Sequence, residues 1–128
     1  MGSGVLSSAY RVLTTADPRK KADAAQDMRR EWQQSGHVGT LTEPLPEQPA
    51  RPPRPELVPP LDVPRRRLGS PKGRGALLHA VAHIELNAID LAADMIARFT
   101  HHPAIADDDR ADFVTDWSSV CDDEARHF

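Results

Sequence analysis

The chain has 128 residues, a formal net charge of −3, 39% apolar and 5% aromatic residues, and 12 prolines. That length suits one domain of ordinary size. The balance excludes an overall basic field that would draw the chain to nucleic acid or membrane, and no stretch of 18 apolar residues is present to span a bilayer. A single cysteine, Cys121, has no internal disulfide partner. With no signal-like apolar run at the start, it points to the cytoplasm.

Val5 to about Leu13 forms a short helix with Val5, Leu6, Tyr10 and Leu13 as its apolar positions. Asp17-Pro18 then reads as an N-cap followed by the first helical residue. A second helix runs from Pro18 to about Gln34, and Gly36 ends it. Its apolar positions, Ala22, Ala25, Met28 and Trp32, are sparse, and Lys20, Lys21, Arg29 and Arg30 read as a solvated face. Residues 1–36 thus make an N-terminal helical hairpin.

Residues 37–74 change character. Ten prolines fall between Pro44 and Pro71, which excludes helix and nearly excludes regular strand. The segment reads as an extended, polyproline-II-like arm. Leu57, Val58, Leu61 and Val63 suggest that it lies along a surface. Arg65-Arg66-Arg67 with Lys72 and Arg74 is the one basic cluster; it either holds phosphate or offsets the acidic helices nearby.

Residues 75–128 carry the strongest pattern. From about Gly75 to Thr100 a heptad seam reads Leu78, Val81, Glu85, Ala88, Ala92, Met95, Phe99, with His79, His83, Asn87, Asp90, Asp94 and Arg98 opposite. Glu85 is the one acid within that stripe. An ionised carboxylate buried without a partner costs several kcal/mol, so a metal ion or a buried salt bridge is expected beside it. His79 and His83 have the spacing of helical zinc ligands, but Ala80 stands where the protease motif requires its glutamate base. Pro103 stops the helix, and Asp107-Asp108-Asp109 precede the next one, where negative charge suits a helix start. The short connection makes the two helices antiparallel neighbours.

In the last helix a second seam reads Phe113, Trp117, Val120, Glu124, His127. Cys121, beside it, reads as a small buried apolar residue. Glu124-Ala125-Arg126-His127 is a Glu-x-x-His unit, whose two side chains lie about 60° apart on one helix face and can reach one ion. A carboxylate-bridged di-iron bundle takes two such units plus one Glu from each of two other helices. Glu85, Glu124 and His127 are therefore the candidate metal ligands, with Glu85 and Glu124 expected to face each other.

Several runs carry a resemblance: Arg66 to Pro71; Leu78 to Leu91 (LHAVAHIELNAIDL); Asp116-Trp117; and Asp123 to Phe128 (DEARHF). Together they resemble the domain-of-unknown-function 455 family of ferritin-like proteins. The resemblance implies an all-α fold, with the last two helices as half of a ferritin-like four-helix bundle. It implies Glu85 as the first-helix ligand and Glu124 with His127 as the second-helix ligands. The implied cofactor is a di-iron pair, with manganese as the alternative ion. The implied activity in the intact form is that of an oxidoreductase or oxygenase. A modified tRNA substrate enters through the wider superfamily only. Members of the family continue well beyond this length, so the chain is expected to be an N-terminal fragment with half of the site. The alternative is a non-catalytic metal-binding or inactive remnant. A homodimer of two hairpins would complete the bundle.

Overall fold

The computed structural model describes residues 3–52 and 71–128, the side chains of 71–80 excepted. Within them lie four helices: α1 (Gly4–Thr14), α2 (Pro18–Ser35), α3 (Pro71–Phe99) and α4 (Arg110–His127), with a single 3-10 turn, Asp107–Asp109, leading into α4. The described residues are all-α, and α3, with 29 residues, is the longest element. Of the proline-rich arm's apolar positions, Leu57, Val58, Leu61 and Val63 lie outside the described residues, as does the cluster Arg65 to Arg67.

Local chemistry accounts for the helix ends. Asp17 accepts a hydrogen bond from the Lys20 backbone N–H at 3.0 Å, and Pro18 occupies the first turn, where its missing N–H costs nothing. Gly36 closes α2 in the left-handed region, with φ 59°, as a C-terminal glycine should. The start of α1 is closed from outside the helix. Val5 N–H donates to His37 O at 2.9 Å and Leu6 N–H to Val38 O at 3.1 Å, so the returning chain satisfies donors that the helix leaves open. Ser3 and Thr40 exchange backbone bonds of 2.9 and 3.2 Å beside it. This close approach depends on Gly39, where φ is 79° and an added Cβ would sit 1.8 Å from Ser3 O.

One apolar cluster joins all four helices. α1 contributes Val5, Leu6, Ala9, Val12 and Leu13; α2 contributes Ala22, Ala24, Ala25, Met28 and Trp32. From α3 come Ile89, Ala92, Ala93 and Ile96, and from α4 Val114, Cys121 and Ala125. Its alanines keep the helix axes close. α3 lies against α4 and α1, and α4 against α3 and α2. Trp32 Nε1–H donates to Thr115 Oγ1 at 3.0 Å, giving the indole a partner across α2 and α4.

The beginning of the arm packs on this body. Val38, Leu41 and Leu45 lie against the core. Ala50 N–H donates to Leu13 O at 2.7 Å, and Arg98 Nη2 reaches Pro46 O at 3.4 Å. At the other end, Arg110 Nε donates to Thr100 O at 2.8 Å, tying the start of α4 to the end of α3. The short connection and antiparallel pairing are as the spacing predicts.

The helix faces differ from the sequence reading. The buried stripe of α3 is Leu86, Ile89, Asp90, Ala92, Ala93 and Ile96, continued by Thr100 just past its end; that of α4 is Val114, Ser118, Cys121, Asp122 and Ala125. Of the heptad seam expected on α3, Ala92 is buried, Glu85, Ala88, Met95 and Phe99 are half-buried, and Val81 is 41% exposed. Leu78 falls among the side chains not described. The helices turn their other faces inward because α1 and α2 pack there. Lys21, read as solvated, is fully buried, because Asp90 lies beside it in the core.

Candidate functional site

Among the described residues two carboxylates are buried, Asp90 and Asp122, and each is met by at least one cation from a distant segment. Lys21 Nζ donates to Asp90 Oδ1 at 2.5 Å, and Arg51 Nη2 lies 2.8 Å from Asp90 Oδ2. Burial pushes the Asp90 carboxyl above the usual carboxylate range and the Lys21 ammonium below the usual lysine range, against the pull of their own ion pair. Asp122 is held by Arg29 at 2.6 Å and Arg126 at 3.1 Å. These contacts tie α2 and the arm to α3 and α4. Removing one partner of such a pair leaves a buried charge, at a cost of about 3–5 kcal/mol.

Cys121 sits between them. Its Sγ–H donates to Ile89 O at 3.4 Å, and burial with two nearby carboxylates pushes the thiol up to about 12. The nucleophilic form of a cysteine is the thiolate, so this sulfur is a packing group, as the sequence reading has it.

The expected ligands lie on another side of the same two helices. Val81, Ile84, Glu85, Ala88 and Met95 form a second stripe on α3, turned by roughly a third of a turn from the core stripe. Phe113, Trp117, Val120 and Glu124 form its counterpart on α4. Among the described residues neither stripe is fully covered: Ile84 is 66% exposed and Val120 42%, while the other members are half-buried or exposed. Phe113 and Trp117 are half-buried against the core edge, with ring centroids 6.5 Å apart. Both seams expected from the sequence are thus apolar faces, but they are second faces rather than the core.

The pairing register places the acids. Ile89 meets Cys121, and Thr100 meets Arg110, eleven residues further along on α3 and eleven back on α4. Each step along α3 is therefore a step back along α4. Four residues before Ile89, Glu85 stands level with Ala125, next to Glu124. Both acids are half-buried and His127 is exposed. Among the described residues no group of three or more His, Cys, Asp or Glu side chains is drawn together to hold a metal ion. The structure brings Glu85 and Glu124 to one level of one helix pair and does not gather them with His127 into a cluster. His83 is half-buried on α3 and has interactions of its own; the His79 side chain lies outside the described ones.

What sequence reasoning missed is the Lys21–Asp90–Arg51 group, whose members are 69 and 39 residues apart in the chain. The one available signal was Asp90 beside Ile89 in an otherwise apolar run. None of the described helices is long and apolar enough to cross a membrane.

Comparison with known proteins adds a family. The profile of a family described as "Protein of unknown function (DUF455)" matches residues 14–128. A curated relative, an "Uncharacterized protein" of Haemophilus influenzae, is 43% identical over 79 residues. Those residues are 62% of this chain and 27% of the relative, so the chain spans about a quarter of the relative's length. No solved structure matches.

Proposed function

The chain belongs to this family of unknown function, and from that premise we propose that α3 and α4 carry half of a carboxylate-bridged di-metal site. Glu85, Glu124 and His127 are its ligands, and iron is its metal, with manganese as the alternative ion. The observation that carries the reading is the register: Glu85 and Glu124 stand at one level of an antiparallel pair, on stripes that no described element fully covers.

The donor set fits the ion. Two carboxylate groups and one imidazole are half the complement of a di-iron bundle, whose full site takes four carboxylates and two histidines. Glu85 and Glu124 would bind and bridge, and His127 would complete the shell of one ion through a neutral ring nitrogen. When bound, the metal pair would supply the activation of dioxygen or peroxide for an oxidoreductase or oxygenase reaction. Around it, Val81, Ala88, Phe113, Trp117 and Val120 would exclude water once covered, which strengthens ligation by carboxylates.

Two coverings supply the missing half. One is a further helix pair of the same protein; the greater length of the Haemophilus influenzae relative leaves room for it. The other is a second copy of this chain, set about a two-fold axis along the stripes. The exposed apolar face favours a covering of either kind. The rival reading is a non-catalytic metal-binding protein or an inactive remnant. Ferroxidase turnover without an organic substrate would favour storage over oxygenation.

Mass by sedimentation, with and without Fe(II) or Mn(II), tests the paired form. The reading expects a metal-dependent dimer that Glu124→Ala with His127→Ala abolishes. A monomer indifferent to metal, or a dimer indifferent to the double substitution, would remove the homodimer.

A further inference from the structure

The chain carries a formal charge of −3, yet four guanidinium groups gather around α2 and share two carboxylates. Asp27 takes Arg11 at 3.1 Å and also Arg30. Asp122, 2% exposed, takes Arg29 at 2.6 Å and Arg126 at 3.1 Å, both on Oδ2. A carboxylate offset by one cation leaves the second cation over, so each group keeps a surplus positive charge. Among the described residues no other acid is ion-paired with any of the four arginines.

Three of these arginines line one cavity. Gln26, Arg29, Arg30 and Gln33 fall three and four apart, so α2 presents them on one face. Asp122 and Arg126, four apart, answer from α4. The six residues line about 400 Å³ between the two helices, and Asp122 is the one acid among them. By holding Arg29 and Arg126 on a single oxygen, Asp122 fixes two guanidinium groups side by side. The Arg30 and Arg126 side chains are 61% and 65% exposed, so the mouth is open and no segment has to lift. The cavity is separate from the proposed metal ligands: Arg126 precedes His127 and so lies about 100° from it around α4.

We propose that this cavity binds a dianionic phosphate group, free or as the monoester of a small molecule. A guanidinium has five N–H donors on three nitrogens. The closest contact of each ion pair uses one nitrogen: Nη1 of Arg29, Nη2 of Arg30 and Nη2 of Arg126. Each arginine thus keeps donors beyond its ion pair, and phosphate oxygens take such donors two at a time. The Gln26 and Gln33 amides add neutral donors to the same wall. The charge selects the same class. A cation would meet three arginines, and a monoanion would offset only one of the two surplus charges. A second cavity of about 390 Å³ shares Arg29 and Gln33 and has Thr115, Asp116 and Ser119 in its wall. The body of a monoester would lie there, out of reach of free phosphate.

The test is a titration of the whole 128-residue chain by proton–nitrogen correlation NMR at constant ionic strength. The pH is about 8, where phosphate has lost its second proton. Inorganic phosphate is the probe, glycerol 3-phosphate is the monoester arm, and dimethyl phosphate, a monoanionic diester, is the control. Saturable shifts are expected at Arg126 and at the Gln26 and Gln33 side-chain amides, with a dissociation constant on the order of 1 mM. Dimethyl phosphate should bind at least about tenfold more weakly. Arg30→Gln with Arg126→Gln leaves Asp27 to Arg11 and Asp122 to Arg29, so both carboxylates stay paired; it should weaken phosphate by about tenfold or more. Arg19→Gln with Lys20→Gln removes two exposed charges of α2 outside the cavity and should leave binding within about twofold. Tighter binding of glycerol 3-phosphate, with added shifts at Thr115 and Ser119, would assign the site to a monoester; equal binding without them would assign it to free phosphate. No saturable binding up to about 10 mM, equal binding of dimethyl phosphate, or equal losses in the two double variants would overturn the inference.

Discussion

Lys21 Nζ lies 2.5 Å from Asp90 Oδ1, and neither side chain reaches water. The two are 69 residues apart, so the contact pins α2 to α3 at the centre of the fold. Lys21→Met would leave the Asp90 carboxylate facing Arg51 alone. It should cost about 3–5 kcal/mol in urea unfolding, whereas Lys21→Met with Asp90→Leu should recover much of that loss. A double variant no more stable than the single one would show that the charge is not what destabilises.

The same pair sets a pH dependence. The folded-state pKa of Asp90 is raised above 3.8, so between 3.8 and the raised value the native state holds more protons than the unfolded one. Its contribution is full below 3.8 and is lost as pH rises through the folded value. Lys21 works in the other direction: its folded pKa is lowered from 10.5, so its contribution is full above 10.5 and is lost as pH falls through the folded value. Unfolding free energies of wild type and Asp90→Asn across the acid range should therefore differ in slope, with the wild type falling relative to the variant as pH rises. Parallel curves would contradict the assignment.

The glycine contacts give a paired prediction. Gly36 and Gly39 both have positive φ, but a Cβ at Gly36 meets nothing within 4 Å, while one at Gly39 meets Ser3 O at 1.8 Å. Gly36→Ala should cost about 1–2 kcal/mol, the price of the left-handed conformation alone. Gly39→Ala should cost more and should raise hydrogen exchange at Val5 and Leu6, whose N–H groups bond to the adjacent strand of chain. Equal losses would mean that the approach of Ser3 to Gly39 is not tight.

Much of the fold was legible in the sequence because its signals are local. Asp17-Pro18 and Gly36 mark the ends of α2, and Pro103 marks the turn before α4. The facing of α3 and α4 was not legible, because each helix has two apolar faces. On α4 the core stripe contains Ser118 and Asp122, and on α3 it contains Asp90, with Thr100 just past its end, so the buried faces look more polar than the second ones. Asp90 and Asp122 are buried only because Lys21, Arg51 and Arg29 arrive from other segments. A pattern along one helix does not reveal such partners. The antiparallel pairing of α3 and α4 did follow from a local signal, the short connection between them.

The two faces of α3 should respond differently to mutation. Ile96 is fully buried, and Ile96→Ala should cost about 2–5 kcal/mol. Ile84 is 66% exposed, and Ile84→Ser in the monomer should change stability by no more than about 0.5 kcal/mol. If another copy covers the stripe, Ile84→Ser should instead weaken association, visible as a concentration-dependent midpoint.

Metal titration by calorimetry under anaerobic conditions tests the central claim most directly. Fe(II) and Mn(II) are added to the wild type, to Glu85→Ala and to Glu124→Ala with His127→Ala. The account predicts saturable binding by the wild type that each variant loses, at unchanged helical content by circular dichroism. Absence of saturable binding by the assembled wild type, or equal binding by all three proteins, would contradict the placing of a metal site on α3 and α4.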